Sequence, residues 1–171
     1  MRANVEGALR HGEPGFSFNF GKYKNETLRN ACTEVTSEDD CDVCNLGSIN
    51  FSRIPSLDVL RDVVRLSTAF LLCGTIRADV PFDRIKQIRE KNRRLGLGLM
   101  GLHEWLIMRG HKYEMVPELE QWLATYQDES DVASVDYSNA LNISRPIANR
   151  AIAPTGTDRD WETFHIYVLS L

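Results

Sequence analysis

The sequence has no long apolar run and no strong excess of either charge. Its longest apolar stretch, STAFLLCGTI, is much shorter than the roughly 20 residues of a membrane-spanning helix. The opening residues, MRANVEGALRHGEPG, are mixed and charged and lack the apolar core of a secretory signal. A net charge of −4 gives no reason to expect nucleic acid or an anionic membrane as a partner. We therefore expect a soluble, cytoplasmic chain whose 171 residues suffice for one domain.

Cysteine is scarce, and its spacing is poor for a metal site. There are four cysteines, and Cys41-x-x-Cys44 has no second pair to complete a tetrahedral zinc site. The histidines stand singly, so a small zinc-binding module built on Cys32, Cys41 and Cys44 would lack its fourth ligand. In a reducing compartment the thiols need not form disulfides. We predict no metal site, and we expect Cys73, in an apolar helix, to be a buried small hydrophobe.

Predicted strands and helices alternate along the chain, which indicates an α/β fold. Ser56 is a suitable N-cap for a helix whose apolar residues recur at helical spacing as far as Leu71. Pro81 opens the next helix, and Gly110 ends a later one. The predicted helices cover 1–10, 57–71, 81–91, 102–110, 118–133 and 137–145, and the predicted strands are FSFNF, NLGSINFSRI, RRLGLGLMG and AIAPTGT.

The run Gly96-x-Gly98-x-x-Gly101 matches the dinucleotide-binding fingerprint letter for letter. That fingerprint needs a strand before its first glycine and a helix that opens on its last. Here the glycines lie inside the predicted strand, and the charged residues EKNRR stand where a preceding strand should be. The pattern therefore favours close packing of backbones in a sheet over a nucleotide-binding turn.

The stretch Asn30-x-Cys32-x-Glu34 brings an amide, a thiol and a carboxylate together at alternate positions. On an extended segment, alternate side chains point to the same side. Such a trio can hold a hydroxyl group, remove its proton and present sulfur to a neighbouring carbon. The pattern is short enough to arise by chance, so its weight depends on the sequence around it.

The surrounding sequence resembles the large, catalytic chain of ribonucleotide reductases. NACTEV followed by CNLGSIN resembles the active-site region of that chain, and NRRLGLGLMGLHEWLIMRG, DYSNALNISRPIANR and AIAPTGT resemble its later parts in the same order. The segment NETLRNACTEVTSEDDCDVCNLGSIN is most similar to the adenosylcobalamin-dependent members of that family. The resemblance implies part of a ten-stranded α/β barrel, an incomplete barrel here, built around a finger loop that carries a radical cysteine.

The resemblance also implies a role for each matched residue. Cys32 would become a thiyl radical and take the 3′ hydrogen of the ribose, and Glu34 would accept the proton of the 3′-hydroxyl. Asn30 would hydrogen-bond the sugar hydroxyls, and Cys44 would be one member of the dithiol pair that reduces the substrate. The turn formed by Pro154, Thr155, Gly156 and Thr157 would cradle the substrate phosphates, and the acidic residues TSEDD would form a solvated loop.

Cofactors and partners follow from the same resemblance. The substrate would be a ribonucleoside di- or triphosphate, reduced to supply DNA synthesis. An external dithiol, such as a thioredoxin-like protein, would recharge the cysteine pair. Adenosylcobalamin is the suspected cofactor, bound mainly outside this sequence. The second thiol of the pair would come from the upstream half of the barrel, as a separate chain if it is separately encoded.

The resemblance covers nearly everything from GEPGF to Thr157 and stops at the segment DRDWETFHIYVLSL. We expect residues 1–157 to be a partial catalytic barrel domain and residues 158–171 to be a tail foreign to the family, such as a frameshift or an interrupted gene would leave. A partial barrel leaves strand edges unpaired, so we expect this chain to be inactive alone. The alternative that stays open is a non-catalytic nucleotide-binding or assembly fragment of a reductase that keeps the turn at 155–157.

Overall fold

The computed structural model describes residues 2–13, 24–25, 27–29 and 36–143. The helices are α1 (Arg2–His11), α2 (Leu57–Arg77), α3 (Asp83–Asn92), α4 (Leu102–Met108) and α5 (Pro117–Leu141). The strands are β1 (Leu28–Arg29), β2 (Thr36–Ser37), β3 (Cys44–Asn50) and β4 (Arg94–Met100), and a 3-10 turn covers Phe51–Arg53. The predicted strands FSFNF and AIAPTGT, and the tail at 158–171, lie outside the described residues.

The centre of the described part is a parallel pair of strands, β3 and β4. Their register runs from Cys44 opposite Arg94 to Asn50 opposite Met100. Helices α2 and α3 connect the two strands, as a parallel pair requires. One face of the pair is covered by α2, where Asn45 Nδ2 donates to the Leu71 carbonyl at 3.2 Å and to Thr75 Oγ1 at 2.9 Å. The predicted α/β class is confirmed.

Local signals in the sequence explain where most elements begin and end. Ser56 accepts a hydrogen bond from the Val59 backbone N–H and caps α2, as predicted, although the helix continues past Leu71 to Arg77. The run RRLGLGLMG forms β4, as predicted. Gly101 follows it with a φ of +74°, a left-handed conformation that suits glycine and begins α4. The part of the chain that the structure describes contains no helix long and apolar enough to span a membrane.

Three predictions about this region are wrong. Residues 118–133 and 137–145 were expected to form two helices, but α5 is one helix that begins with Pro117 and ends at Leu141, where Asn142 takes a left-handed conformation. The predicted strand over 45–54 ends at Asn50, and the 3-10 turn follows. Cys73 is exposed on α2 rather than buried, because α2 turns its Leu71 and Leu72 side to the interior.

The core lies where α4, α5 and the 3-10 turn meet. Three aromatic rings form its centre: Trp105 lies 5.5 Å from Phe51 and 5.2 Å from Trp122, measured between ring centroids. Arg109 covers this cluster, with its guanidinium carbon 3.9 Å from the Trp105 ring centroid. The other buried apolar residues of the cluster are Ile49, Ile54, Leu60, Val64, Leu99, Leu102, Leu106, Leu119 and Leu123.

Trp105 should be the most costly core residue to truncate. Its side chain is fully buried, so Trp105→Ala is expected to lower the free energy of unfolding by about 3–5 kcal/mol. Its indole N–H has no hydrogen-bond partner among the described residues, so Trp105→Phe sacrifices no hydrogen bond, leaves a smaller cavity and should cost clearly less than Trp105→Ala. Denaturant unfolding of the two variants measures both values. Equal losses would show that packing around this ring does not set stability.

Candidate active site

Of the predicted site residues, the described part of the chain contains Cys44. Asn30, Cys32, Glu34 and the turn from Pro154 to Thr157 lie outside it. Cys44 is the first residue of β3 and is partly buried. The three described cysteines, at 41, 44 and 73, are thiols rather than disulfides. Among these described residues no group of three or more His, Cys, Asp or Glu side chains could hold a metal ion.

Cys44 lies on the face of the strand pair that α2 does not cover. Side chains alternate between the two faces of a strand, so Cys44, Leu46 and Ser48 share one face with Gly96 and Gly98 of β4. The opposite face packs inward, where Ile49 and Leu99 enter the core. On the Cys44 face, Leu46 is 65% exposed and Ser48 is exposed too. The thiol therefore begins a surface that is open within the described part of the chain.

Gly96 provides the room that the Cys44 side chain occupies. A Cβ atom at position 96 would lie 3.3 Å from Cys44 Sγ and 2.5 Å from Leu46 Cδ2. The position of Gly96 inside β4 is thus consistent with the prediction that these glycines allow backbones to pack closely rather than form a nucleotide-binding turn. Sequence reasoning did not connect Gly96 with Cys44, although the pairing of CNLGSIN with RLGLGLM contains that contact.

A cluster of charged and amide groups fixes the chain just before Cys44. Arg94 donates to Asp42 Oδ2 from Nε at 3.1 Å and from Nη2 at 2.8 Å. Asn92 Nδ2 donates to the same oxygen at 2.9 Å, and the Val43 backbone N–H donates to Asp42 Oδ1 at 2.9 Å. Arg94 is also the residue opposite Cys44 in the strand register. The beginning of β3 is therefore held to the beginning of β4 by side chains as well as by backbone.

Asp39 extends this cluster into the acidic loop. It accepts hydrogen bonds from Lys91 Nζ, 2.8 Å from each carboxylate oxygen, and from Asn92 Nδ2 at 3.0 Å. The bond from Lys91, followed by that from Asn92, holds the pKa of the Asp39 carboxyl below its ordinary value. The prediction that TSEDD is simply a solvated loop is wrong at Asp39, and also at Ser37, which is buried.

Gly96→Ala should restrict the Cys44 thiol without unfolding the chain. The clash at 2.5 Å is with the exposed end of Leu46, which can rotate away, and the new Cβ would then stay in tight contact with Cys44 Sγ at 3.3 Å. We expect iodoacetamide to alkylate Cys44 severalfold more slowly in this variant, with Cys44 as the sole cysteine. Gly98→Ala is the matched control, since its Cβ would meet Ser48 Oγ at an ordinary 3.4 Å. Equal rates in both variants would contradict the role of Gly96.

The comparison with known families identifies this arrangement. The family model described as ribonucleotide reductase, barrel domain, matches residues 18–145. The chain belongs to the ribonucleotide reductase family, within its barrel domain. The parallel pair and its covering helices are therefore part of an incomplete α/β barrel, as the resemblance predicted.

Three curated relatives were found. A putative adenosylcobalamin-dependent ribonucleoside-triphosphate reductase of Mycobacterium phage D29 is 33% identical, over 92% of this chain and 24% of its own length. A vitamin B12-dependent ribonucleoside-diphosphate reductase of Thermoplasma acidophilum is 26% identical, over 94% of this chain and 22% of its own. The ribonucleoside-diphosphate reductase large subunit of Gallid herpesvirus 2 is 34% identical, over 47% of this chain and 11% of its own.

Two of these three relatives are named as adenosylcobalamin- or vitamin B12-dependent, so the predicted similarity to those members is confirmed. The chain spans about a quarter or less of the length of each relative.

Proposed function

We propose that this chain is part of the catalytic chain of a ribonucleotide reductase, an oxidoreductase of the cytoplasm that makes deoxyribonucleotides for DNA synthesis. The observation that supports this most directly is the family match over 18–145, which includes both Cys32 and Cys44. The position of Cys44 is consistent with it, because the thiol begins the open face of the parallel pair beside Gly96. A substrate placed on that face could reach the thiol.

The proposed reaction balances with one dithiol for each nucleotide. Cys32, as a thiyl radical, takes the 3′ hydrogen of the ribose and returns it at the end of the cycle. Glu34 accepts the 3′-hydroxyl proton and returns it when the 3′-hydroxyl forms again, while Asn30 holds the sugar hydroxyls. The 2′-hydroxyl leaves as water, and Cys44 and a second thiol outside this chain together give up two protons and two electrons as they form a disulfide. The products are a deoxyribonucleotide, water and a disulfide, which an external thioredoxin-like dithiol reduces again.

The phosphates of a ribonucleoside di- or triphosphate would bind at the turn from Pro154 to Thr157, where backbone N–H groups and hydroxyls suit an anion. Residues 1–157 would form the partial barrel domain, with 158–171 as a tail outside the family. The chain would need the upstream barrel half for activity, because the second thiol is expected there.

Adenosylcobalamin, when bound, would supply the radical that activates Cys32. Neighbouring strands lie about 4.8 Å apart, so the open face of two strands is too narrow to enclose a corrin. We therefore assign cofactor binding to parts of the reductase outside the described residues.

A reduction assay tests the proposal. The chain is incubated with ribonucleoside di- and triphosphates, dithiothreitol and adenosylcobalamin, alone and mixed with a chain that supplies the upstream barrel half, and deoxyribonucleotides are measured by chromatography. We expect product only in the mixture. Nucleotide binding without product under every condition would contradict the proposal and favour the non-catalytic nucleotide-binding or assembly fragment.

A further inference from the structure

The ion pair between Asp42 and Arg94 is the most deeply buried one in the described part of the chain. The side chain of Asp42 is 0% exposed and that of Arg94 is 4% exposed. Each of the other ion pairs described has at least one side chain that is a third or more exposed. Examples are Asp58 with Arg61 and Asp39 with Lys91. The buried pair is therefore a distinct feature, separate from the solvated charges of the surface.

Stability alone does not account for such a pair. Removing two charges from water is costly, and buried ion pairs can often be replaced by apolar residues without loss of stability. The bonds here are numerous and directed: Asp42 accepts from Arg94, from Asn92 and from the Val43 backbone N–H. Bonds of this number and direction fix the geometry of the chain at this point.

The point that they fix is the position of Cys44. Asp42 precedes the thiol by two residues along the chain, and Arg94 is the residue opposite it in the parallel register. Partner residues on neighbouring strands point to the same face, so Arg94 and Cys44 share the open face. Gly96, the next residue of β4 on that face, lies against Cys44 Sγ. Charge on Arg94 or Asp42 would thus act on the thiol from close by.

We propose that Asp42 and Arg94 are positioning residues for Cys44: their bonds hold the first residue of β3, and their opposite charges cancel beside the thiol so that it stays a neutral S–H group. This inference rests on the proposed function of Cys44 in the dithiol pair. In that reaction each thiol must give up a hydrogen as the disulfide forms and water leaves. An arginine without its carboxylate partner would favour the thiolate, which has no hydrogen to give.

One further pair of opposite charges lies near the beginning of β3. Asp39 is paired with Lys91. Helix α2, on the opposite face, ends at Arg77, two residues beyond the Thr75 that Asn45 contacts. The charged groups on the elements around Cys44 are Glu38, Asp39, Asp40 and Asp42 on the loop, Lys91 at the end of α3, Arg93 between α3 and β4, Arg94 at the beginning of β4, and Arg77 on α2.

The test measures the reactivity of Cys44 and needs no turnover. The 171-residue chain is prepared with Cys44 as its sole cysteine, and the rate of iodoacetamide alkylation is followed across the ordinary thiol pKa of about 8.5. At neutral pH, Asp42→Asn should react about tenfold faster and Arg94→Gln about tenfold more slowly, since an unbalanced charge nearby shifts a thiol pKa by about one unit or more. The double variant should return to within about threefold of the parent rate.

If the two charges balance each other beside the thiol, alkylation becomes faster in one single variant and slower in the other. A merely structural role would loosen the strand in both, so that both would react faster, and that result would overturn the inference, as would unchanged rates. Asp58→Asn, at the exposed pair with Arg61, is the matched control and should leave the rate unchanged. Circular dichroism confirms that each variant is folded.

If Asp42→Asn does not fold, Asp39→Asn gives a milder test in the same direction, because it unbalances Lys91 at the edge of the same cluster. It should raise the alkylation rate by less than about tenfold, and an unchanged or lower rate would contradict the inference. Because alkylation does not depend on reductase activity, failure of this inference and failure of the proposed function give different results.

Discussion

Replacing Cys44 by serine in the reconstituted mixture is expected to stop deoxyribonucleotide formation while hydrogen abstraction from the ribose continues. Serine cannot form the disulfide that closes the proposed reaction, so the two electrons needed to reduce the substrate have no source. Product formation should therefore fall to the background of the assay. Cys44 takes no part in removing the 3′ hydrogen of the ribose, so that step should continue.

Two measurements separate these steps. Chromatography gives the deoxyribonucleotide formed, and release of tritium from the 3′ position of labelled substrate reports abstraction. Cys73→Ser is the control, because Cys73 is an exposed thiol on α2 with no role in the proposed reaction. Repeated turnover by Cys44→Ser at the parent rate would remove Cys44 from the dithiol pair.

Replacing Cys32 by serine is expected to abolish both deoxyribonucleotide formation and the release of tritium from the 3′ position. An O–H bond is stronger than an S–H bond, so a serine is a poor radical relay. Even about 7 kcal/mol of added barrier would slow the step about 10⁵-fold. Neither product nor tritium release should then exceed background.

Cys41→Ser serves as the control for Cys32→Ser, since Cys41 lies in the same stretch but is exposed and has no assigned role. Appreciable product from Cys32→Ser would refute the radical role of Cys32. The pair of variants also orders the reaction: Cys44→Ser should lose only the reduction, whereas Cys32→Ser should lose the abstraction that precedes it.

Much of the fold could be predicted from the sequence because the local signals were strong. The cap at Ser56 and the apolar spacing after it defined the beginning of α2, and the glycine-rich run was correctly predicted as a strand. The single helix α5 was missed because a break was predicted at residues 134–136, between the two predicted helices. Arg65 of α2 explains why that segment stays helical, since it bonds Glu129 at 2.8 Å and Asp136 at 2.8 Å across the helix interface.

The site was predicted in part, through the resemblance rather than through spacing. Cys44 was identified in that way, but Asp42 and Arg94 were not, because they are 52 residues apart and no local pattern relates them. Only the register of β3 with β4 brings them together. Gly96 was missed as a site residue for the same reason: its contact with Cys44 is made between strands, which sequence periodicity cannot reveal.

The parallel pairing of β3 and β4 has a consequence for how this region assembles. The strands are separated by the 3-10 turn and two helices, so they can meet only after residues 51–93 have folded back on themselves. Closing a loop of that length carries an entropic cost that local helices do not bear. Helices form much faster than long-range strand pairs. The contact between Asp42 and Arg94 therefore belongs to the late, long-range stage of folding, and Cys44 acquires its surroundings only when that stage is complete.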